Sequence, residues 1–209
     1  LEMLADVDDL DAIVVPIGGG GVIAGIATAA KALSPKIEIV GVEAAQYPSM
    51  YEAIHGLTPT SGGNTIAEGI AISAPGSAAR QIVGRLVDDI LVVSEFALET
   101  AVLTMLESSK VLAEGAGAAP LAALMENRDR FAGRKVCLIV CGGNIDARLL
   151  ASVLMRGLVR TGRIVRLRVT ITDRPGALAK VAQQIAIVGG DIIEIAHQRL
   201  FQDIPVKQA

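Results

Sequence analysis

The sequence predicts an α/β chain, an open parallel sheet flanked by helices, followed by a smaller and incomplete α+β unit. Three observations carry that prediction. Short continuous apolar runs alternate with stretches of helical periodicity, as parallel strands joined by helical crossovers do. Hydrophobic residues fill 52% of the 209 positions and aromatics only 2%, while glycine occurs 22 times. The core is therefore Ile, Val, Leu and Ala, with loops tightened by glycine. After Thr161-Gly162 the continuous runs give way to strict alternation, the pattern of a sheet covered on one face only.

Asp11–Pro16 is an apolar run bounded by a charge and a proline, as expected of a strand buried on both faces. Four glycines, Gly18 to Gly21, lead into a helix over Val22–Leu33 that Ser34-Pro35 ends. Lys36–Val42 is the next strand, with Glu43 at its carboxyl end. Helical patches follow at Pro48–His55 and Ser77–Leu86, separated by the polar loop Leu57–Thr65. Asp89–Val93 is a third strand. Ser94 caps a long helix carrying Phe96, Ala97, Ala101, Met105 and Leu112. Gly115–Pro120 opens another helix, and Gly133 precedes a fourth strand over Lys135–Val140. The loop Cys141–Asp146 leads to a helix ending near Arg160. Beyond the boundary, Ile164–Thr172 reads as a half-exposed strand, Ala177–Val188 as a helix closed by Gly189-Gly190, and Asp191–Phe201 as another strand. The expected units are 1–161 and 162–209. The second is too small to bury a core alone and reads as cut short.

Composition excludes several functions. A net charge of −3 and five scattered aromatics argue against nucleic-acid binding, which needs basic patches or stacking platforms. Ala12–Ala30 carries no charge, but Pro16 and Gly18–Gly21 interrupt it, so no membrane helix runs through it. No secretory leader or lipidation signature is present, and a soluble, cytoplasmic protein is expected. Cys137 and Cys141 lie four apart in a predicted strand, roughly 13 Å in extended geometry and too far for a disulfide. With only His55 and His197 besides, no metal-ligand cluster is expected. His55 reads as a helix-end residue and His197 as part of a polar strand face.

Two glycine loops carry the chemistry. Gly18–Gly21, between a strand and a helix, lets backbone approach a phosphate closely, and the helix start supplies N–H donors and a favourable dipole. Gly19-x-Gly21-x-x-Ala24 with Glu43 also satisfies a loose dinucleotide fingerprint, so a Rossmann-type nucleotide-binding domain stays open. Cys141-Gly-Gly-Asn144 ends another parallel strand, where ligands collect in open α/β sheets. Glu68-Gly69 and Glu114-Gly115-Ala-Gly117 place acids beside glycines, as caps or ligand contacts. Arg156, Arg160, Arg163, Arg166 and Arg168 suggest an inter-domain or subunit contact. A non-catalytic regulatory or assembly module built on that surface is a further reading.

These residues, in this order, resemble the carboxyl-terminal part of the threonine ammonia-lyases (threonine dehydratases), fold-type-II pyridoxal-phosphate enzymes. The matching pieces are Val15–Gly25, Val40–Ala44, Thr65–Gly69, Leu86–Asp89, Lys110–Gly117 and Cys141–Asp146. Asp173–Leu178 resembles the opening of an ACT regulatory domain, of ferredoxin-like fold. The resemblance implies pyridoxal 5'-phosphate as cofactor and β-elimination of L-threonine, or L-serine, to a 2-oxo acid and ammonia. It implies feedback by isoleucine or valine through the ACT part, within a homo-oligomer. It implies that Gly18, Gly19, Gly20, Gly21 and Val22 hold the cofactor phosphate, that Gly69 lies against the ring, and that Cys141, with Gly142 beside it, faces the pyridine nitrogen. Glu43 matches a position that binds a cation in some relatives, but no second acid follows in Ala44–Ser49, so no metal is expected. The family's Schiff-base lysine stands in a Ser-Phe-Lys-x-Arg-Gly motif that these residues do not contain. No catalytic residue is therefore expected in this chain, which reads as a fragment inactive by itself.

Overall fold

The computed structural model describes residues 1–172 and 174–197. They fall into two compact units, Leu1–Ile164 and Val165–Ala209. The first unit holds α1 (Glu2–Asp6), β1 (Ala12–Pro16), α2 (Gly21–Leu33), β2 (Glu38–Ala44), α3 (Ser49–His55) and α4 (Ser77–Leu86). It continues with β3 (Asp89–Val93), α5 (Glu95–Thr104), α6 (Gly115–Glu126), α7 (Arg128–Phe131), β4 (Val136–Leu138) and α8 (Ala147–Arg160). The strands form one parallel sheet in the order β3-β2-β1-β4.

β1 is buried along its whole length, as its unbroken apolar run demands. Its alternate residues feed two separate cores. Ile13, Val15 and Ile17 pack with Ile23 and Ala27 of α2, Met50 of α3 and Val83 of α4 on one face. Ala12 and Val14 pack with Leu98 and Val102 of α5, Ala119 of α6 and Val153 of α8 on the other. α6 buries Gly115, Ala116, Gly117, Ala118, Ala119, Pro120, Ala122 and Ala123, so a nearly side-chain-free surface lies directly on the sheet. Ser94 caps α5 as expected, its hydroxyl accepting the Ala97 N–H at 3.1 Å. The Asp146 carboxylate caps α8, accepting from Arg148 N and Leu149 N at 3.0 Å each.

Several boundaries differ from expectation. β2 starts two residues later than Lys36, because Ile37 N still closes a turn onto Ser34 O at 3.0 Å. It runs on to Ala44, which pairs with Val93. The helix expected to carry Leu112 stops earlier: a π turn spans Met105–Ser109, and Lys110 adopts the left-handed region at φ 57°. Leu112 therefore lies in an extended, exposed segment. β4 ends at Leu138 rather than Val140, so Cys141 stands beyond the ladder.

In the second unit the helix appears as expected, α9 (Ala177–Ile187), closed by Gly190 N on Ile185 O at 2.9 Å. The strand expected over Ile164–Thr172 is absent, and no ladder forms over 191–197. A strand exists through its partners, and among the described residues neither segment has one; Val165, Leu167 and Val169 stay exposed. Asp173 and the end of the second expected strand, 198–201, lie outside the described residues.

Glu43, last but one in β2, has no exposed surface. Its two carboxylate oxygens accept the N–H groups of Met50 and Tyr51 at 2.8 Å each, which anchors the first turn of α3. Burial pushes its carboxyl up to about 7, the two N–H donors oppose that, and the nearby Glu52 carboxylate adds to it. Folded chain thus holds a proton that unfolded chain releases above the ordinary value of 4.5. The stability from this group is full below that value and disappears as pH rises through about 7. Denaturant unfolding of the parent and of Glu43→Gln across that window should show the parent losing up to about 3 kcal/mol relative to the variant; parallel curves would refute the assignment.

Gly41, in the middle of β2, leaves room for Ile17 and Ile23: an added Cβ would collide with Ile17 Cδ1 and lie 3.2 Å from Ile23 Cδ1. Gly41→Ala should lower unfolding free energy by about 1–3 kcal/mol through overpacking, read as a lower urea midpoint.

Candidate functional site

The strand order reverses between β1 and β4. β1 is followed by α2 on one face of the sheet, and β4 by α8 on the other. The two loops leave the same end of neighbouring strands in opposite directions, which is where open α/β sheets form their ligand crevices. Ile17–Gly20 is the first of these loops and Cys141–Asp146 the second.

Two further loops meet them there. Glu68–Ile70 forms a single 3-10 turn, and Val111–Glu114 runs extended into α6. A Cβ on Gly18 would lie 3.2 Å from Gly69 O and 3.3 Å from Ile70 Cα. One on Gly69 would lie 3.0 Å from Glu114 Oε1 and 3.1 Å from Ala116 Cβ. Gly115 abuts the Ile66 carbonyl and Gly117 the Gly142 carbonyl, each too closely for any side chain. Glu114 N donates to Gly142 O at 3.2 Å. Gly18, Gly69, Cys141 and Gly142, singled out in sequence, thus belong to one cluster held by backbone contact.

The four glycines of the first loop divide sharply. Gly18 packs tightly against the Gly69 turn, which leaves little room for a side chain. Gly20 has φ +90°, and a Cβ there would lie 2.5 Å from Met50 Cε and 2.8 Å from Ala79 Cβ. Gly19 and Gly21 have nothing within 4 Å of an added Cβ, so neither packing nor backbone geometry requires glycine at those two positions. α2 begins at Gly21 with no side-chain cap, and Gly21 and Val22 are exposed. The first N–H groups of this 13-residue helix therefore lack intrahelical partners and lie beside open space. Such an uncapped, side-chain-free start fits an anionic group such as a phosphate.

Cys141 is partly buried, and both cysteines are free thiols. Burial pushes its thiol up from the ordinary value, its own backbone N–H opposes that, and the Glu114 carboxylate adds to it. The group stays uncharged near neutrality, suited to a weak hydrogen bond rather than to nucleophilic attack.

Other candidates lie elsewhere. Glu43 is committed to α3, which removes the ribose-binding acid that a dinucleotide site would need. Glu68 is exposed on its turn. His55 ends α3 with Nδ1 on Tyr51 O at 2.8 Å. Arg156 and Arg160 are paired at 2.6 and 2.5 Å with Glu99, and Arg163 with Glu107, so three members of the arginine run are satisfied within the first unit. No group of three or more His, Cys, Asp or Glu able to hold a metal occurs among the described residues, and none of their helices is long and apolar enough to cross a membrane. The central place of Glu114 was not legible in sequence; its one signal is the run of small residues after it, Gly115 to Ala119.

The family described as "Pyridoxal-phosphate dependent enzyme" matches residues 1–142. L-threonine ammonia-lyases of Thermotoga maritima and Geobacter sulfurreducens are 36% and 42% identical over 208 and 209 residues, each match covering 99% of this chain. The chain spans about half the length of these relatives, 52% of each. Among solved structures, a threonine deaminase from T.th. superposes with a TM-score of 0.62 at 36% identity, over 66% of this chain and 51% of that one. Threonine deaminase isoform 2 from Solanum lycopersicum gives 0.69 at 26% identity, over 74% and 46%. A parallel sheet with its glycine loops gathered at one switch point, and these likenesses along the whole sequence, make the chain a member of the pyridoxal-phosphate-dependent enzyme family.

Proposed function

We propose that this chain supplies the cofactor cradle of an ammonia-lyase that converts L-threonine, or L-serine, to a 2-oxo acid and ammonia by β-elimination. The observation that carries the reading is the open strip of backbone at Gly19 and Gly21, at the uncapped start of α2 and beside the strand switch point. Gly18 to Gly21 and Val22 would hold the cofactor phosphate through backbone N–H groups. Gly69 would keep side-chain atoms away from the ring face. Cys141, with Gly142, would face the pyridine nitrogen and, as an uncharged thiol, leave it without a full proton donor. The bound cofactor supplies an electron sink that acidifies the substrate α-carbon and lets a β-hydroxyl leave. The names and identities of the Thermotoga and Geobacter relatives support threonine as substrate.

Residues 162–209 form, in this reading, the start of an ACT-like regulatory unit sensing isoleucine or valine, in a cytoplasmic homo-oligomer. The reach of the matches supports one part of it, that the likeness to the ammonia-lyases continues through these residues. The two ammonia-lyases align over 99% of the chain, whereas the Escherichia coli catabolic dehydratase aligns over 157 residues, 73% of it.

Gly21→Asp separates fold from function. An acid in the first turn of a helix favours the fold by a few tenths of a kcal/mol, while its charge repels a phosphate. Calorimetric titration with pyridoxal phosphate should show affinity falling by about tenfold or more, with no loss of unfolding free energy. Undiminished binding, or tighter binding of NAD than of pyridoxal phosphate by the parent chain, would overturn the reading. In a keto-acid assay the 209 residues alone should release no 2-oxobutanoate from threonine, since none of Lys31, Lys36, Lys110, Lys135, Lys180 and Lys207 stands in the Schiff-base motif.

A further inference from the structure

Glu114 is the side chain on which the cluster closes. Its Oε1 is 3.0 Å from where a Cβ on Gly69 would stand and lies so close to Gly142 that a side chain there would overlap it. Its backbone N–H meanwhile donates to Gly142 O at 3.2 Å. One residue therefore grips the Cys141–Gly142 loop from its main chain and its side chain together. Gly142 itself sits at φ +114°, a conformation that keeps the loop's backbone against the residues preceding α6. Glu114 is also the N-cap residue of α6, where the helix dipole favours a negative charge. Its carboxylate makes no hydrogen bond to the α6 N–H groups. It faces the Gly142 loop instead.

We infer that Glu114 is a positioning residue of the cofactor site: its carboxylate, lodged between the Gly69 turn and the Cys141–Gly142 loop, fixes that loop and with it the setting of the Cys141 side chain. The inference rests on the proposed cofactor reading only for the name of the site; the contact itself is independent of any ligand. Other ionisable groups nearby do not compete for the role. Glu68, on the facing turn, is exposed. Asp146, beyond the loop, is committed to α8. Lys110, before α6, donates to Glu107 O at 2.8 Å. Arg148, in the first turn of α8, is exposed. A carboxylate beside a half-buried sulfur raises the cost of the thiolate, and a thiol held protonated can share a hydrogen bond with a ring nitrogen without becoming a nucleophile.

The test reads Cys141 directly and uses no cofactor. In the full chain carrying Cys137→Ala, Cys141 is the sole thiol, and its alkylation by iodoacetamide can be followed against pH. Glu114→Gln should speed alkylation by about threefold or more at about pH 8 and move the titration to lower pH, while Glu114→Asp stays near the parent. An unchanged profile in Glu114→Gln overturns the inference. The parent alone gives a second readout, should that variant fail to fold. Anionic iodoacetate should be disfavoured relative to neutral iodoacetamide several-fold more at Cys141 than at free cysteine; equal ratios overturn the inference. Loss of pyridoxal phosphate binding with this thiol behaviour intact would count against the cofactor reading and leave the Glu114 contact standing.

Discussion

The structure depends on one constraint: four loops must touch backbone to backbone at the carboxyl ends of β1 and β4. Gly115 against Ile66 and Gly117 against Gly142 are contacts that a single methyl group would break, and Gly18 lies tightly against Gly69. Because these loops belong to segments far apart in sequence, their convergence fixes how α6 lies on the sheet and where Cys141 ends up. Overpacking in a close-packed interior costs of order 1–3 kcal/mol per intruding group. Several such positions in one cluster therefore leave the chain little freedom in composition there.

The same requirement explains the character of α6. A helix whose first nine residues are almost all Gly, Ala and Pro has modest propensity at best, since glycine and proline both weaken a helix interior. What it gains is proximity. Ala116, Ala118, Ala119, Ala122 and Ala123 are essentially without exposed surface and pack with Val14, Val40 and Val42 of the sheet. Tertiary burial overrides local propensity, and the carboxyl ends of β1 and β4 come near enough to the helix start for Glu114 to reach Gly142.

The sheet and its flanking helices were legible because their signals are local. The run Ala12–Pro16, the Ser94 cap and the Ser34 stop each depend on neighbours within a turn or a strand. The glycine loops were legible as places of close approach, but not which glycine served which need. That division depends on Met50, Ala79 and the Gly69 turn, residues far away in the chain. Glu114 was read as a cap or a ligand contact, because its own neighbourhood says no more; its position beside Gly142 is a long-range fact. The alternating run after Ile164 shows the opposite limit. Alternation indicates which face of a strand would be buried, but a ladder needs a partner, and among the described residues none pairs with it.

Two acids near the ends of the central strands take opposite parts, and burial decides between them. Glu43, next to last in β2, has no exposed surface and commits both oxygens to the first N–H groups of α3. It contributes architecture and withdraws a charge from the crevice. Glu114 remains partly exposed at the start of α6 and faces the loop bearing Cys141. A carboxylate fully removed from water is driven toward its neutral form, as Glu43 is. The charge that acts on the candidate site therefore belongs to the less buried acid. Together with burial, it opposes the ionisation of the Cys141 thiol. For the proposed phosphate cradle that restraint matters, because additional negative charge nearby would weaken the hold of backbone dipoles on an anion.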